Sequence, residues 1–281
     1  MTETGRGHQV LHYDAARAAA WQKWFHIMEA GAQPLSDRMV ALAGIRPGSS
    51  VLDIATGLGE PALTAARAAG PSGRVLATDL SAEMLALARE RASRLGLANV
   101  TFRTMDANAP DVPEEAFDAV LSRWGLMFVA RLDDALRGIR KALRPEGRFV
   151  AVVWGPPEEA PAVSLGNRVV LKALGLPPPD EGPMTPFALR DTDALLRRAR
   201  DAGFREVTGE WFDVIYEFDS PETFGAYRRD RAAEVKHRIA HLPQGDQDAA
   251  WLAVTEAAKS YVEPDGVVRM RNRTFCMVAR R

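Results

Sequence analysis

A chain of 281 residues is long enough for one large domain, or for a core domain with a sizeable accessory piece. Its 47% hydrophobic and 26% charged content is that of a globular protein, and a formal net charge of −1 argues against a dedicated nucleic-acid binder, which wants a basic surface. The lone cysteine, Cys276, excludes an intrachain disulfide and any multi-cysteine metal site.

The opening residues carry no apolar signal core, and no run of 18 apolar residues occurs, so no membrane span and a cytoplasmic location are expected. Residues 15–32 read as a helix, with Trp21, Trp24, Phe25 and Met28 along one stripe. A second helix is expected over 35–43, stopping before Pro47 and Gly48. Apolar runs then follow at 50–54, 74–78, 100–103, 117–121 and 148–154, with helices near 61–69, 82–95 and 132–143 between them. Repeated βα units imply a parallel sheet covered by helices on both faces. Beyond Trp154, eight prolines between Pro156 and Pro186 surround one helix-like piece, 162–174. A helix at 191–202, a strand at 206–217, helices from the Ser220-Pro221 cap pair to about 239 and over 247–261, and a closing strand at 274–279 complete the chain.

The informative stretch is Val51-Leu52-Asp53-Ile54-Ala55-Thr56-Gly57-Leu58-Gly59-Glu60-Pro61. A strand that closes on a glycine turn before a helix leaves backbone N–H groups facing a ligand. Asp79, 22 residues past Gly57, ends the next strand, where ribose hydroxyls need an acceptor, and Asp106 ends the third. A dinucleotide fingerprint would want a third glycine at position 62, which is Ala62. Asp53 would repel a pyrophosphate, whereas it can hold an ammonium group directly or through water. A ligand with adenosine at one end and a zwitterionic amino acid at the other fits best, and S-adenosylmethionine is that ligand.

These residues, with Ala77-Thr78-Asp79-Leu80-Ser81-Ala82-Glu83-Met84-Leu85, Met105-Asp106-Ala107, Phe117-Asp118-Ala119-Val120 and Leu143-Arg144-Pro145-Glu146-Gly147-Arg148-Phe149, resemble the class I S-adenosylmethionine-dependent methyltransferases. The resemblance is strong over roughly residues 35–155 and is nearest to the small-molecule group that includes the ubiquinone/menaquinone-biosynthesis enzymes. It implies a Rossmann-like, seven-stranded, mostly parallel sheet with helices on both faces and an antiparallel edge of late strands. The implied layout is an N-terminal helical cap (1–45), a cofactor core (46–155), a proline-rich connection with a late strand (156–218), a helical lid insertion (219–268) and a closing strand (269–281).

The same resemblance implies a cofactor site made of Tyr13, Asp53, Ala55, Thr56, Gly57, Gly59, Asp79, Leu80, Met84, Asp106, Ala107 and Ser122. Asp79 would take the ribose diol, Asp106 and Ala107 the adenine edge, and Leu80 and Met84 the adenine faces. Asp118, at the start of its strand, reads as structural. Ser122 and Arg123 follow the fourth strand and are expected at the cofactor's methionine end, with Trp124 facing the acceptor. No catalytic group is assigned; Tyr13, His26 and Trp124 are the candidates, and no metal site is expected. All five histidines (8, 12, 26, 237 and 241) fall in the cap or lid, and His237 and His241 read as a solvated face. The aromatic cap and mouth (Trp21, Trp24, Phe25, Trp124 and Phe128) favour a small, flat or apolar methyl acceptor, with an O, N or C nucleophile attacked in line. An NAD-dependent oxidoreductase and a non-catalytic S-adenosylmethionine-binding protein are the alternatives. Self-association into a homodimer stays open.

Overall fold

The computed structural model describes residues 15–179 and 182–281, so Tyr13, His8 and His12 lie outside the described residues. The chain opens with α1 (Ala15–Leu42), then runs β1 (Ser50–Ile54), α2 (Ala62–Ala69), β2 (Arg74–Asp79), α3 (Ala82–Arg94) and β3 (Val100–Thr104). It continues through β4 (Phe117–Arg123), α4 (Leu132–Ala142), β5 (Leu143–Trp154), α5 (Pro161–Ala173) and α6 (Thr192–Asp201). The last third holds β6 (Arg205–Phe218), α7 (Pro221–Arg231), α8 (Ala233–Ile239), α9 (Gln244–Ala258) and β7 (Val268–Arg280).

The strands form one seven-stranded sheet in the order β3-β2-β1-β4-β5-β7-β6. The pairs from β3 through β5 are parallel, and β7 runs antiparallel to both β5 and β6. Every residue of β1 is buried, as helices on both faces require, which explains its unbroken apolar reading. The strand order reverses between β1 and β4. In open α/β sheets a ligand crevice lies at that reversal, outside the carboxyl ends of the strands.

Several elements differ from the expectation, β5 among them, which starts at Leu143 and not at 148. The first two expected helices are one, running through Pro34. Ala32, Leu35 and Met39 on it are fully buried in a continuous stripe, and that packing outweighs a proline penalty of about 3 kcal/mol. The expected helix up to about residue 239 is broken at Ala232 into α7 and α8. Finally, β7 extends six residues further back than the apolar run alone suggested, pairing with the whole of β6. There Arg269 and Arg271 pair outward with Glu217 and Asp213 and alternate with buried Val268, Met270 and Asn272, so no apolar run marks the strand.

Packing brings the cap over the sheet's carboxyl edge. Gly31 lets α1 lie directly on β6, since a Cβ there would fall 2.1 Å from the Ile215 carbonyl oxygen. Trp24 donates its indole N–H to Asp230 at 2.9 Å and meets Tyr227 edge-on at 5.8 Å, tying α1 to α7. Asn272, fully buried in β7, accepts the Ala162 N–H at 2.8 Å and donates to Val214 and Met270 carbonyls, anchoring α5. Among the described residues no helix is long and apolar enough to cross a membrane.

Candidate active site

A cavity of ≈ 520 Å³ opens at the carboxyl ends of β1, β2 and β4, under α1 and α7. One end is built by the glycine turn and the acids. Gly57 (φ +56) and Gly59 (φ +99) sit in the left-handed region that favours glycine, and Ala55 (φ +59) shares it as a strained residue at the strand end. The Gly57 N–H is held at 2.8 Å by Asp79 Oδ2, while Asp79 Oδ1 accepts the Ser81 N–H at 3.0 Å. Burial nonetheless pushes the Asp79 carboxyl above its ordinary pKa, against those donors. Each oxygen keeps a lone pair, so the carboxylate can still accept from a diol. Ser81 caps α3 through Met84, which fixes Asp79 and Met84 relative to each other.

Ala55, Thr56, Gly57, Asp79, Leu80, Met84, Asp106 and Ala107 all line this end. Leu80 is 54% exposed, a large apolar side chain left open beside the turn, whereas Met84 is buried and packs with Ala18 and Leu58. Asp106 Oδ1 accepts both the backbone and side-chain N–H of Asn108 at 2.8 Å. Arg91 stands outside the lining and holds two residues of it, stacked 3.9 Å over Phe25 and paired with Glu60 at 3.3 Å.

Three residues expected in the wall stand behind it: Asp53, Gly59 and Ser122 do not line the cavity. Asp53 is fully buried and its Oδ2 accepts the Ala62 N–H at 3.2 Å, starting α2. Burial lifts its carboxyl to about 7. Its Oδ1, Thr56 Oγ1 and Ser122 Oγ are buried with no hydrogen-bond partner. Of these only Thr56 lines the cavity; its hydroxyl and the Asp79 carboxylate offer acceptors to a ligand with hydroxyl and ammonium donors, and a glycine-framed turn admits it. The residues present therefore fit an S-adenosylmethionine-shaped group.

Arg123 does not serve as a free cation for such a ligand. Burial opposes its charge, yet the Glu29 carboxylate, at 2.8 Å, holds its pKa above the ordinary value. Ser36 Oγ accepts a further bond from it at 2.7 Å. Asp118 is structural, accepting the Ser50 N–H at 2.7 Å and pairing with Arg144 at 2.6 Å. His26 is exposed on α1 and is not among the lining residues, which removes it as a candidate base. His237 and His241 are also exposed.

The other end of the cavity is aromatic. Trp124, left-handed at φ +56, stacks on Trp154 with ring centroids 4.2 Å apart and planes 7° from parallel. Trp154 meets Tyr216 edge-on at 6.5 Å. Phe128 lines the cavity as expected, and so do Trp21 and Phe25, which pack against Leu58 and Met84 on the side of the turn, but Trp24 points away to Asp230 and Tyr227. Trp154, Tyr216, Tyr227, Arg228 and Arg231 were invisible as site residues in the sequence. The two strand aromatics alternate like ordinary core, and the arginines belong to the charged stretch Arg228-Arg229-Asp230-Arg231 on a helix, which reads as a solvated face.

Residues 51–147 match the family model described as a methyltransferase domain. With the strand order and the glycine–acid turn above, this region is a class I S-adenosylmethionine-dependent methyltransferase domain. S-adenosylmethionine is the cofactor of that class. In sequence the chain is 34% identical over 162 residues to the ubiquinone/menaquinone biosynthesis C-methyltransferase UbiE of Azotobacter vinelandii, covering 57% of this chain and 64% of that protein. The counterpart from Ectopseudomonas mendocina is 33% identical over 159 residues, covering 56% and 62%. The chain thus spans under two thirds of the length of these curated relatives. In structure it is similar to an Aquifex aeolicus SAM-dependent methyltransferase, with a TM-score of 0.52 and 22% identity over 69% of this chain and 92% of that one. It is also similar to the [4+2]-cyclase SpnF, with a TM-score of 0.53 and 23% identity over 89% and 80%. At these identities the likeness is one of fold, and the cyclase shows that the fold alone does not fix the reaction.

Proposed function

We propose that this protein transfers a methyl group from S-adenosylmethionine to an O, N or C nucleophile of a small, flat or apolar metabolite. One observation carries the reading: a single cavity joins the glycine–acid turn at one end to the Trp124–Trp154 wall at the other. When bound, S-adenosylmethionine supplies an electrophilic methyl group on a sulfonium. Asp79 takes the ribose hydroxyls with the lone pairs that Gly57 and Ser81 leave free. Asp106 and Ala107 receive the adenine edge, and Leu80 and Met84 pack on its faces. The Thr56 hydroxyl at the wall, with Asp53 and Ser122 behind it, provides polar surroundings for the amino-acid end.

The aromatic wall orients the acceptor and excludes water, so catalysis rests on alignment and desolvation. Tyr216 is fully buried, and burial pushes its phenol far above the usual range, so it keeps its proton and acts as a donor, not a base. Glu29 is committed to Arg123. An acceptor that reaches the site already neutral at nitrogen, or already ionised at oxygen or carbon, suits such a wall. An NAD-dependent oxidoreductase is disfavoured because Ala62, where the third glycine would be, is fully buried at the start of α2.

Incubation with methyl-labelled S-adenosylmethionine and a panel of phenols, quinols and amines tests this. Label in a small aromatic acceptor is the expected result. Transfer only to a polar metabolite or to RNA contradicts it.

A further inference from the structure

Arg228 and Arg231 lie three residues apart on α7 and both line the cavity. Arg228 is only 6% exposed. It donates to neutral acceptors, the Ala162 carbonyl at 3.2 Å and Asn167 Oδ1 at 2.9 Å, and its Nε has no partner. Arg231 lies 3.6 Å over the Trp21 ring and donates to the Tyr227 hydroxyl at 2.8 Å and to Met28 Sδ at 2.6 Å, and its Nε is also unpartnered. Among the described residues neither forms an ion pair. The other buried arginine that lines the cavity does, Arg123 with Glu29, and so does half-buried Arg91 just outside it, with Glu60.

The contrast matters because a buried guanidinium without a carboxylate is costly. Burial and the nearby Arg231 charge lower the Arg228 pKa to about 10, which still leaves it protonated at neutral pH. The chain even makes room for it: a Cβ on Gly166 of α5 would fall 2.7 Å from Arg228 Nε. Two uncompensated positive charges in a cavity that also holds the stacked Trp124 and Trp154 indoles call for an anion brought in from outside. A carboxylate matches best, being planar like the guanidinium and needing few donors, since neutral acceptors already hold two of Arg228's nitrogens.

We infer that the acceptor is an aromatic carboxylate, whose carboxylate is anchored by Arg228 and Arg231 while its ring lies along the Trp124–Trp154 wall. This rests on the methyltransferase reading above and narrows its substrate class. The pair is a specificity device: a neutral aromatic of the same shape leaves both arginines uncompensated.

The test uses full-length protein saturated with S-adenosylhomocysteine, titrated calorimetrically with 2-naphthoate and with its neutral analogue 2-naphthamide. The acid is expected to bind at least roughly tenfold more tightly than the amide. In Arg228→Met and Arg231→Met that preference falls to within about threefold, while S-adenosylhomocysteine affinity changes by less than about threefold. Arg231→Met serves as the second variant if the more deeply buried Arg228→Met melts early. Equal binding of acid and amide, or a preference that survives in Arg231→Met, overturns the inference. So does loss of S-adenosylhomocysteine binding in either folded variant, which reassigns the arginines to the cofactor's own carboxylate. If wild-type protein does not bind S-adenosylhomocysteine at all, the methyltransferase reading fails instead, and the two failures are distinct.

Discussion

Arg123 and Glu29 face each other across the mouth of the cavity in a two-pronged ion pair, with contacts of 2.8 and 3.3 Å. The pair ties the end of β4 to the middle of α1, so the helix that roofs the site is fastened to the sheet by charge. Both side chains are largely shielded from water, at 8% and 12% exposure. Breaking one partner of such a pair strands the other charge, at a cost of roughly 3–5 kcal/mol. Glu29→Ala is therefore expected to lose most of that amount in urea unfolding. The double variant Glu29→Leu with Arg123→Met should recover much of it, because an apolar pair of similar volume replaces the ions. A loss of under about 1 kcal/mol in the single variant contradicts a buried, stabilising contact.

The contact of α1 with β6 depends on Gly31. A methyl group there meets backbone, which cannot swing aside, and Tyr216 Cδ1 at 2.8 Å. Gly31→Ala is expected to cost roughly 1–3 kcal/mol, or more if α1 must lift bodily. Because Trp21, Phe25 and Met28 of α1 line the cavity, ligand affinity should fall with stability. Thermal melts with and without S-adenosylhomocysteine read both. An unchanged melt places α1 further from β6 than described.

Asp53 sets a pH dependence whose sign is opposite to that of a salt-bridged carboxylate. Its folded pKa, near 7, lies above the ordinary aspartate value of about 3.9. Between those values the unfolded chain has released a proton that the folded chain still holds, so stability falls as pH rises through the window and levels off above about 7. Asp53→Asn removes this term. The difference in unfolding free energy between wild type and variant should change by up to about 1.4 kcal/mol per pH unit across pH 4–7, favouring the variant at the alkaline end. A difference that stays flat with pH shows that Asp53 is ionised in the fold throughout.

Much of the core was legible because physics there is local. The strand Ser50–Ile54 is buried on both faces and reads as one apolar run, and Gly57, Asp79 and Asp106 lie at successive strand ends by connectivity alone. What escaped depends on tertiary placement. Pro34 signals a break, and only the burial of Leu35 and Met39 shows why α1 continues. Arg123 reads as a ligand contact until Glu29, 94 residues away in sequence, is brought against it. Trp154 and Tyr216 belong to strands separated by β7 in the sheet, a placement that no spacing reveals. Asp53 was legible as an acid beside the turn, but its place behind the wall, capping α2, was not.

Asp79 and the cavity it edges carry the cofactor assignment. Calorimetric titration of S-adenosylhomocysteine into the wild-type protein and Asp79→Ala tests it most directly. Wild type should bind one equivalent, and the variant should lose roughly 10- to 100-fold in affinity, the scale of hydrogen bonds to a charged acceptor. No heat with wild-type protein, or equal affinity in the folded variant, contradicts the assignment of this cavity to the cofactor.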